Sequence, residues 1–386
     1  MQMRRSWIVL ALAMAVAGGA HAQRLKIDEG DRLRELNLSP VLKTRLGTAR
    51  SRIAQKNLAF QVVYHPVLDK KIEDIAGGLR LTDSQTVAAQ NQRIAPLLQQ
   101  DRLALIDAIK KDPGLRQKMP ILKFSPAPSL KKWDWRVAGE VSGIRSQKWG
   151  TCWTYAAVAS LESSYLLRND LSLDGSEQYL AYNSGGMSAK ADEKPGGWCY
   201  KAVDYLVKAG TVTDAACPDT GTYGVSAPVA KPPYGGVAWG FCHGANGMAS
   251  VAEIKSALCE HGPVTTWIDA GGTFGAYGKG VYDDDDDKDP GHKVGGHFVT
   301  IVGWDDVRGA WLIKNSWGAD WGSSCGPDDD KRGDPGKRGY MWIKYGCHGV
   351  GSDSTWIRAR SRFYRISLNP AILKTPIKDI KSPILR

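Results

Sequence analysis

The first third of the chain has the apolar spacing of helices joined by one short strand. Ser39 followed by Pro40 is typical of a helix start, and apolar residues then recur every three or four positions through Ile53. Residues 60–64 are aromatic and β-branched around a single glutamine, which favours extended backbone and predicts a strand. These patterns predict a small, mainly helical N-terminal unit.

A further helix and a linker complete this unit. Gly77-Gly78 is expected to end the preceding segment. Thr82 and Gln85 form a capping-box pattern before an apolar-periodic stretch that ends near Lys111. Residues 112–129 contain four prolines, so this part of the chain is expected to be extended.

The pattern changes after residue 130. A continuous apolar stretch over residues 153–167 predicts one buried helix. The later runs His297–Val302, Ala310–Ile313 and Tyr340–Ile343 predict strands. A helical part followed by an antiparallel β part predicts an α+β fold.

Composition and charge exclude several classes of protein. The 386 residues are 42% hydrophobic and 24% charged, which excludes disordered, collagen-like and coiled-coil chains. The net charge of +11 is divided into +2 over residues 1–22, +8 over 23–124, −5 over 125–351 and +6 over 352–386. Because no folded unit presents one basic face, we expect no nucleic-acid partner. Binding through the basic tail alone is the remaining nucleic-acid alternative.

The N-terminus has the three-part pattern of a secretory signal peptide. Arg4 and Arg5 precede an apolar run over residues 7–17, and Ala20-His21-Ala22 offers a cleavage site. A membrane anchor is the alternative, but the run is too short to span a bilayer. We therefore predict an exported, soluble protein with a signal peptide over residues 1–22 and no membrane span.

Seven cysteines follow the predicted signal peptide, which makes disulfide bonds plausible in an exported protein. The odd number leaves one thiol over, and the only pairing we single out is the short-range Cys325–Cys347. Zinc is the rival use, but the chain has no C-x-x-C pair and no tight Cys/His cluster. We predict disulfides and no metal or cofactor.

The surplus thiol is identified by its position. Cys152 follows Gly150-Thr151 and opens the predicted apolar helix. The positive end of a helix dipole lowers a thiol pKa, and the thiolate is the nucleophile. The alternative is a buried or disulfide-bonded cysteine with no role in catalysis.

Short motifs follow one another over about residues 131–358. They are Trp133-Asp134-Trp135-Arg136, Gln147, Gly150-Thr151-Cys152-Trp153, Ser176-Glu177-Gln178, Gly196-Gly197-Trp198, Gly296-His297, Asn315-Ser316-Trp317-Gly318, Trp321-Gly322 and Gly339-Tyr340. In this order they resemble the papain family of cysteine peptidases, and we expect an exported, bacterial-type member. The resemblance implies a two-lobed papain-like fold, with one helical lobe and one antiparallel β-barrel-like lobe, behind an N-terminal prosegment.

The resemblance also implies catalytic roles. Cys152 would attack the scissile carbonyl, and His297 would pair with it as imidazolium and then protonate the leaving amine. Asn315 would hold the His297 ring, and Trp317 would shield that contact from water. A histidine buried in the core and an asparagine in a turn are the structural alternatives.

The oxyanion hole is expected from the Gln147 amide and the Cys152 backbone N–H. Gln147 lies five residues before Cys152, where the family has six. If the loop kept the family's spacing, Ser146 would occupy the glutamine's place. Trp149 stands where the family usually has a cysteine, so the disulfide formed there is not expected.

The remaining implied site residues bind substrate. Gly196 and Gly197 would pair with the substrate backbone, while Trp198 and Trp267 would make the S2 subsite apolar. The full predicted substrate-binding set is Gly150, Gly196, Gly197, Trp198, Trp267, Gly296 and Trp317. Glu162 and Glu177 match acidic positions that the family buries together.

Two acidic insertions have three possible explanations. They are Asp283–Asp287, before His297, and Asp328–Asp330, after Trp321. A solvated loop is the simplest; an acidic rim that favours basic substrates and a calcium site are the alternatives.

We predict a secreted, monomeric cysteine endopeptidase made as a zymogen, acting on protein or peptide substrates in the periplasm or outside the cell. Its predicted parts are a signal peptide (1–22), a propeptide with linker (23–129), a catalytic domain (130–360) and a basic tail (361–386). A peptide ligase or transpeptidase on the same triad and an inactive binding module are the alternatives.

Latency is expected to come from the propeptide as an intramolecular inhibitor. Opposite net charges on residues 23–124 and 125–351 favour their association. The stretch Pro113–Ser129 would lie along the cleft, with cleavage between Phe124 and Lys132. Maturation is expected near pH 4–5, where carboxylates begin to protonate.

Overall fold

The computed structural model describes residues 27–114, 126–187, 196–221, 231–244, 247–289, 295–326 and 338–360. The predicted signal peptide, the acidic run Asp328–Asp330 and the basic tail 361–386 lie outside these residues. Most of the predicted linker, residues 115–125, lies outside them too.

Over residues 27–114, the N-terminal unit contains four α-helices and one strand. They are α1 (Glu29–Leu36), α2 (Pro40–Lys56), β1 (Phe60–Val62), α3 (Ile72–Ile75) and α4 (Ser84–Lys111). The predicted start of α2 is confirmed, because the Ser39 hydroxyl accepts from the Leu42 amide at 3.3 Å with Pro40 at the first position.

The predicted capping box at the start of α4 has the wrong N-cap residue, Thr82. The N-cap is Asp83, whose carboxylate accepts from the Gln85 amide at 2.9 Å and from the Thr86 hydroxyl. Aspartate takes this place because its oxygen reaches the unpaired amides of the first turn. The predicted end of the helix near Lys111 is confirmed.

The predicted catalytic domain adds four helices among the described residues. They are α5 (Cys152–Asn169), α6 (Glu177–Asn183), α7 (Cys199–Lys208) and α8 (Val251–His261). Helix α5 is apolar or small on every face and buried along almost its whole length, as a central helix requires. It is the predicted helix after Gly150-Thr151.

The described part of this domain also contains eight strands. They are β2 (Lys132–Asp134), β3 (Gly236–Phe241), β4 (Val264–Asp269), β5 (Tyr277–Tyr282), β6 (Gly296–Asp305), β7 (Ala310–Lys314), β8 (Tyr340–Lys344) and β9 (Ser352–Ala359). The sheet order is β1-β5-β8-β7-β6-β4-β9-β3, with β2 paired to β6. All three predicted strand runs are confirmed, and so is the α+β class.

The sheet and α5 place the ends of three elements at one cleft. Helix α5 packs against β6 and β9, so that its N-terminus meets the start of β6. One core cluster fills the sheet around Trp304, Trp311 and Trp321. A second joins α5 to α7 and contains Cys152 and Trp153, so the two lobes meet at the start of α5.

Candidate active site

Cys152 is the first residue of α5 and is completely buried. Its sulfur accepts hydrogen bonds from the backbone amides of Phe298, which follows His297, and of Gly77 in the N-terminal unit. The sulfur is therefore bordered on one side by the histidine strand and on the other by the N-terminal segment.

His297 and Asn315 come together through an antiparallel strand pair. His297 lies at the start of β6 and Asn315 directly follows β7, with Thr300 opposite Lys314 in the ladder. Nε2 of His297 lies 2.8 Å from Oδ1 of Asn315. That oxygen also accepts from the Ser316 amide at 2.8 Å, which fixes its orientation.

The other face and nitrogen of the histidine complete its surroundings. The Trp317 ring centroid lies 4.6 Å from that of His297, and both residues are buried. Nδ1 of His297 is buried and makes no hydrogen bond to any described residue. A shielded imidazole with one nitrogen held and the other available is suited to proton transfer.

Burial disfavours the charged forms of both Cys152 and His297. Desolvation raises the pKa of Cys152 to about 11, although the Phe298 and Gly77 amides oppose it. Desolvation lowers the pKa of His297 to about 4, although the Asn315 hydrogen bond opposes it. In this covered form, burial therefore favours the thiol and the neutral imidazole over the thiolate–imidazolium pair.

Gln147 lies in the cleft despite the short loop. Its amide nitrogen donates to the carbonyl oxygens of Ile75 at 2.8 Å and Trp149 at 2.7 Å. Its side-chain oxygen accepts from the Ser316 hydroxyl at 2.6 Å. Ser146 instead forms a backbone bridge with Trp317. The structure thus brings the Gln147 amide into contact with a carbonyl of the N-terminal unit and with the residue that follows Asn315.

The predicted glycines surround Gly77-Gly78 of the N-terminal unit. The Gly197 amide donates to the Gly77 carbonyl at 2.8 Å, and the Gly78 amide donates to the Gly296 carbonyl at 2.7 Å. A Cβ at Gly77 would lie 2.2 Å from the Gly150 oxygen. Only glycines allow backbones to approach this closely.

Two other predicted residues border the same stretch. A Cβ at Gly196 would lie 2.6 Å from the Gly77 oxygen. The Trp267 indole donates to the Gly78 carbonyl at 3.1 Å, and the Arg80 guanidinium lies 5.4 Å from its ring centroid. The Trp198 ring, by contrast, lies 4.1 Å beneath the Lys201 ammonium.

Residues 76–81 cover the cleft, while most of the predicted cleft stretch Pro113–Ser129 lies outside the described residues. Gly77 and Gly78 do follow the end of α3, as predicted, but they also cross the cleft beside Cys152. The described ends of the proposed linker provide none of these contacts. The sequence did not reveal this role of Gly77-Gly78, because a diglycine that ends a helix and one that allows backbone contact look alike in sequence.

Sequence reasoning missed Asp353, at the start of β9. Its carboxylate is buried and accepts a hydrogen bond from the Leu81 amide. Burial raises its pKa to about 6, with the Leu81 hydrogen bond and Arg80 opposing. It lies in a strand of mixed small and polar residues, so no periodic signal marks it.

Glu162 and Glu177 are buried together, as the resemblance implied. Burial raises the pKa of both carboxyls, and Glu162 further raises that of Glu177. Lys314, next to Asn315, is buried with them, and desolvation lowers its pKa to about 8. This charged cluster supports the turn that carries Asn315.

The first acidic insertion is not a solvated loop. Asp284 and Asp289 form ion pairs with Arg52 of α2, and Asp285 pairs with Lys56. The Asp283 carboxylate accepts from the Ala59 amide at 3.0 Å. No cluster suited to a metal ion occurs among the described residues. The loop therefore binds the N-terminal unit, whereas the second insertion lies outside the described residues.

The predicted disulfides are absent. All seven cysteines lie within the described ranges, and the structure joins no two of them. The Cys347 thiol donates to the Asp284 carbonyl at 3.0 Å, while Cys325 packs in a core cluster with Tyr340 and Trp342. Cys325 and Cys347, which were predicted to pair, thus lie in two different environments.

Comparisons with known proteins agree with this site. The model of the papain family cysteine proteases matches residues 129–326. Digestive cysteine proteinase 2 of Homarus americanus is 30% identical over 233 residues, 56% of this chain and 68% of the lobster protein. Oryzain gamma chain of Oryza sativa subsp. japonica is 34% identical over 50% of this chain and 52% of its own length. The chain belongs to the papain family and is a cysteine peptidase.

Solved structures extend the likeness to the N-terminal unit. Digestive procathepsin L2 proteinase from Tenebrio molitor larval midgut covers 87% of this chain and 96% of its own, with a TM-score of 0.58 and 18% identity. The recombinant stem bromelain precursor covers 87% and 94%, with a TM-score of 0.53 and 19% identity. The chain thus has the papain-like fold with an N-terminal prosegment region. The lobster and rice relatives do not support a bacterial-type member.

No helix among the described residues is long and apolar enough to cross a membrane.

Proposed function

We propose that this chain is the latent precursor of a secreted cysteine endopeptidase that uses Cys152, His297 and Asn315. The observation that carries the proposal is the contact of 2.8 Å between His297 Nε2 and Asn315 Oδ1, beside a buried cysteine that begins a helix. A held imidazole next to such a thiol supports nucleophilic acyl transfer.

Removal of the N-terminal segment would activate the pair. Water would enter the cleft and relieve the desolvation that raises the pKa of Cys152 and lowers that of His297. The helix dipole and the mutual attraction of opposite charges then favour thiolate and imidazolium. Once the cleft is uncovered, Cys152 and His297 would change from the neutral pair to the reactive thiolate–imidazolium pair.

The reaction would proceed through a thioester. The Cys152 thiolate bonds to the peptide carbonyl carbon, the oxygen becomes an oxyanion, and Gln147 and the Cys152 amide donate to it. The C–N bond breaks as His297 gives its proton to the amine. Water then attacks the thioester, His297 takes its proton, and the acid product leaves the regenerated thiolate.

The N-terminal unit would act as an intramolecular inhibitor. The Ile75 carbonyl occupies the donor that Gln147 would offer the oxyanion, and the Gly77 amide bonds to the sulfur. Both groups stand where a substrate would react. This supports the assignment of residues 23–129 as propeptide with linker and of 130–360 as catalytic domain.

Protein or peptide substrates would bind through their backbone. Gly197 already donates to the Gly77 carbonyl at 2.8 Å and accepts from the Leu79 amide at 2.9 Å, which is strand-like pairing with a peptide. Trp267 lies beside this peptide and supports an apolar preference at P2. Secretion to the periplasm or outside the cell rests on the predicted signal peptide.

Substitution and product analysis test the proposal. Cys152→Ala should abolish turnover, His297→Ala should be nearly as severe, and Asn315→Ala milder, since asparagine orients the ring without making bonds. An added amine nucleophile would distinguish hydrolysis from peptide ligation by its products. Failure of the matured protein to react with an epoxysuccinyl probe would support an inactive binding module, and normal turnover by Cys152→Ala would refute the mechanism.

A further inference from the structure

The N-terminal segment continues past the cleft to the opposite end of the sheet. Helix α4 begins three residues after Leu81, whose amide bonds to Asp353. The helix packs on β3, the last strand in the sheet order. An edge strand presents backbone groups that need partners, and α4 provides them.

Two side-chain amides of α4 take the place of a neighbouring strand. Asn91 accepts from the Phe241 amide at 3.1 Å and donates to the His243 carbonyl at 3.0 Å. Gln90 is buried and donates to the Trp239 carbonyl at 2.7 Å. Trp239 and Phe241 alternate along β3 and His243 continues this spacing just beyond its end, so their backbone groups face the same edge.

Apolar packing and charge strengthen this contact. A Cβ at Gly240 would lie 2.7 Å from the Ile94 side chain, so the bare glycine lets the helix approach. Val87 is buried in the core cluster that contains Cys152. Arg93 donates to Asp204 of α7 at 2.9 Å.

The same segment also occupies the other edge of the sheet. Strand β1 pairs with β5, with Phe60 opposite Gly280. Arg52 binds Asp284 in the adjoining acidic loop. The cleft stretch 76–81 is therefore suspended between two docked elements, one at each edge of the catalytic sheet.

We propose that α4 is a second anchor of the inhibitory segment, which keeps residues 76–81 in the cleft after the chain is cut between α4 and the catalytic domain. The inference rests on the proposed function, because it takes the covered site as the catalytic one. Such a cut breaks the covalent link but leaves both anchors in place. Two linked contacts bind more tightly than either alone.

A cut at a chosen place tests this in the full chain. A recognition site for a sequence-specific protease is inserted between Asp112 and Pro113, just after α4. Three proteins are compared: the otherwise unchanged chain, Gln90→Ala with Asn91→Ala, and a matched control, Gln99→Ala with Gln100→Ala, exposed on the same helix. After cutting at neutral pH, gel filtration shows whether the N-terminal segment stays bound to the catalytic domain. The rate of labelling by an epoxysuccinyl probe measures the accessibility of Cys152.

The unchanged chain and the control should keep the segment through gel filtration and label slowly. The Gln90/Asn91 variant should lose it and label at least about tenfold faster, since each of its three lost hydrogen bonds contributes a factor of several to the affinity. Equal melting temperatures of the uncut proteins would show that the variant folds.

Two results would overturn the proposal: separation of the cut but otherwise unchanged chain, or labelling of its Cys152 as fast as in the variant. Failure of the proposed function looks different. Cys152 would then stay unreactive in all three proteins even after acid has separated the segment, while gel filtration at neutral pH would still decide whether α4 is an anchor.

Discussion

At the scale of single residues, the charge of Cys152 depends on whether the cleft is covered. Burial by the N-terminal segment raises the pKa of the thiol to about 11. We therefore expect alkylation of Cys152 in the precursor to accelerate only above about pH 10, and alkylation of the matured enzyme to be fast several pH units lower. Peptide mapping by mass spectrometry measures the rate at Cys152 apart from the other thiols.

The same measurement on Asn315→Ala serves as a control for this prediction. Removing the asparagine should change the histidine's orientation and leave the precursor's thiol covered, so its alkylation profile should remain at high pH. A common midpoint for precursor and matured enzyme would contradict burial as the cause.

Gln147 gives a second prediction at this scale. The matured Gln147→Ala enzyme should lose about 10²–10³-fold in kcat, the usual cost of one oxyanion donor. Ser146→Ala is the matched neighbour and should be nearly silent, because Ser146 instead forms a backbone bridge with Trp317. Steady-state kinetics on one peptide substrate would decide between them. A larger loss of kcat in Ser146→Ala than in Gln147→Ala would mean that Ser146 occupies the glutamine's place, as the family's loop spacing implies.

At the scale of elements, the cleft stretch 76–81 depends on backbone contact at its diglycine. Gly77→Ala should uncover the site, since its Cβ would meet the Gly150 oxygen at 2.2 Å. Overpacking costs about 1–3 kcal/mol, so probe labelling of the uncut precursor should rise by about one to two orders of magnitude.

Gly47→Ala is the matched control for this substitution. It lies inside α2, where an added Cβ meets nothing within 4 Å, and should leave labelling unchanged. Equal labelling of the Gly77→Ala and unchanged precursors would mean that the stretch does not block Cys152.

At the scale of the whole molecule, several ion pairs between the two oppositely charged parts are grouped at the acidic loop 283–289. Arg52 faces Asp284, Asp285 and Asp289, with Lys56 beside Asp285. Arg52→Gln should speed maturation at neutral pH by more than about tenfold, because it leaves the buried Asp284 carboxylate without its cation. Salt should speed maturation of the unchanged chain more than that of the variant, because it screens the exposed pairs of Arg52 with Asp285 and Asp289. Arg32→Gln, on the exposed face of α1, is the control.

The pH dependence of this contact has a definite sign. The Lys56 hydrogen bond lowers the pKa of Asp285, so the pair stabilises the docked state above the carboxyl's ordinary pKa and is lost as pH falls through the lowered value. Asp353, its pKa raised to about 6 by burial, acts oppositely and weakens docking as pH rises. We therefore expect charge-dependent release of the N-terminal unit below about pH 4, which is lower than the pH 4–5 expected from the sequence. Maturation rates between pH 3 and 7 would measure this.

The local features of this protein can be predicted from its amino-acid sequence alone. The Ser39-Pro40 start of α2, the helix that begins at Cys152 and the strands around His297 follow from nearest-neighbour backbone chemistry and apolar spacing. The motif order also indicated the papain family. Such signals depend only on residues that are close together in the chain, so they can be recognised in the sequence.

Tertiary structure decided what lies over the site. The cleft stretch at Gly77, the partner of Arg52 and the strand edge bound by Asn91 are contacts between residues far apart in the chain. The thiol's pKa follows the same rule, because the helix start that favours a thiolate is local while the desolvation that outweighs it comes from a distant segment. Burial is a property of the assembled molecule, and no spacing of residues encodes it.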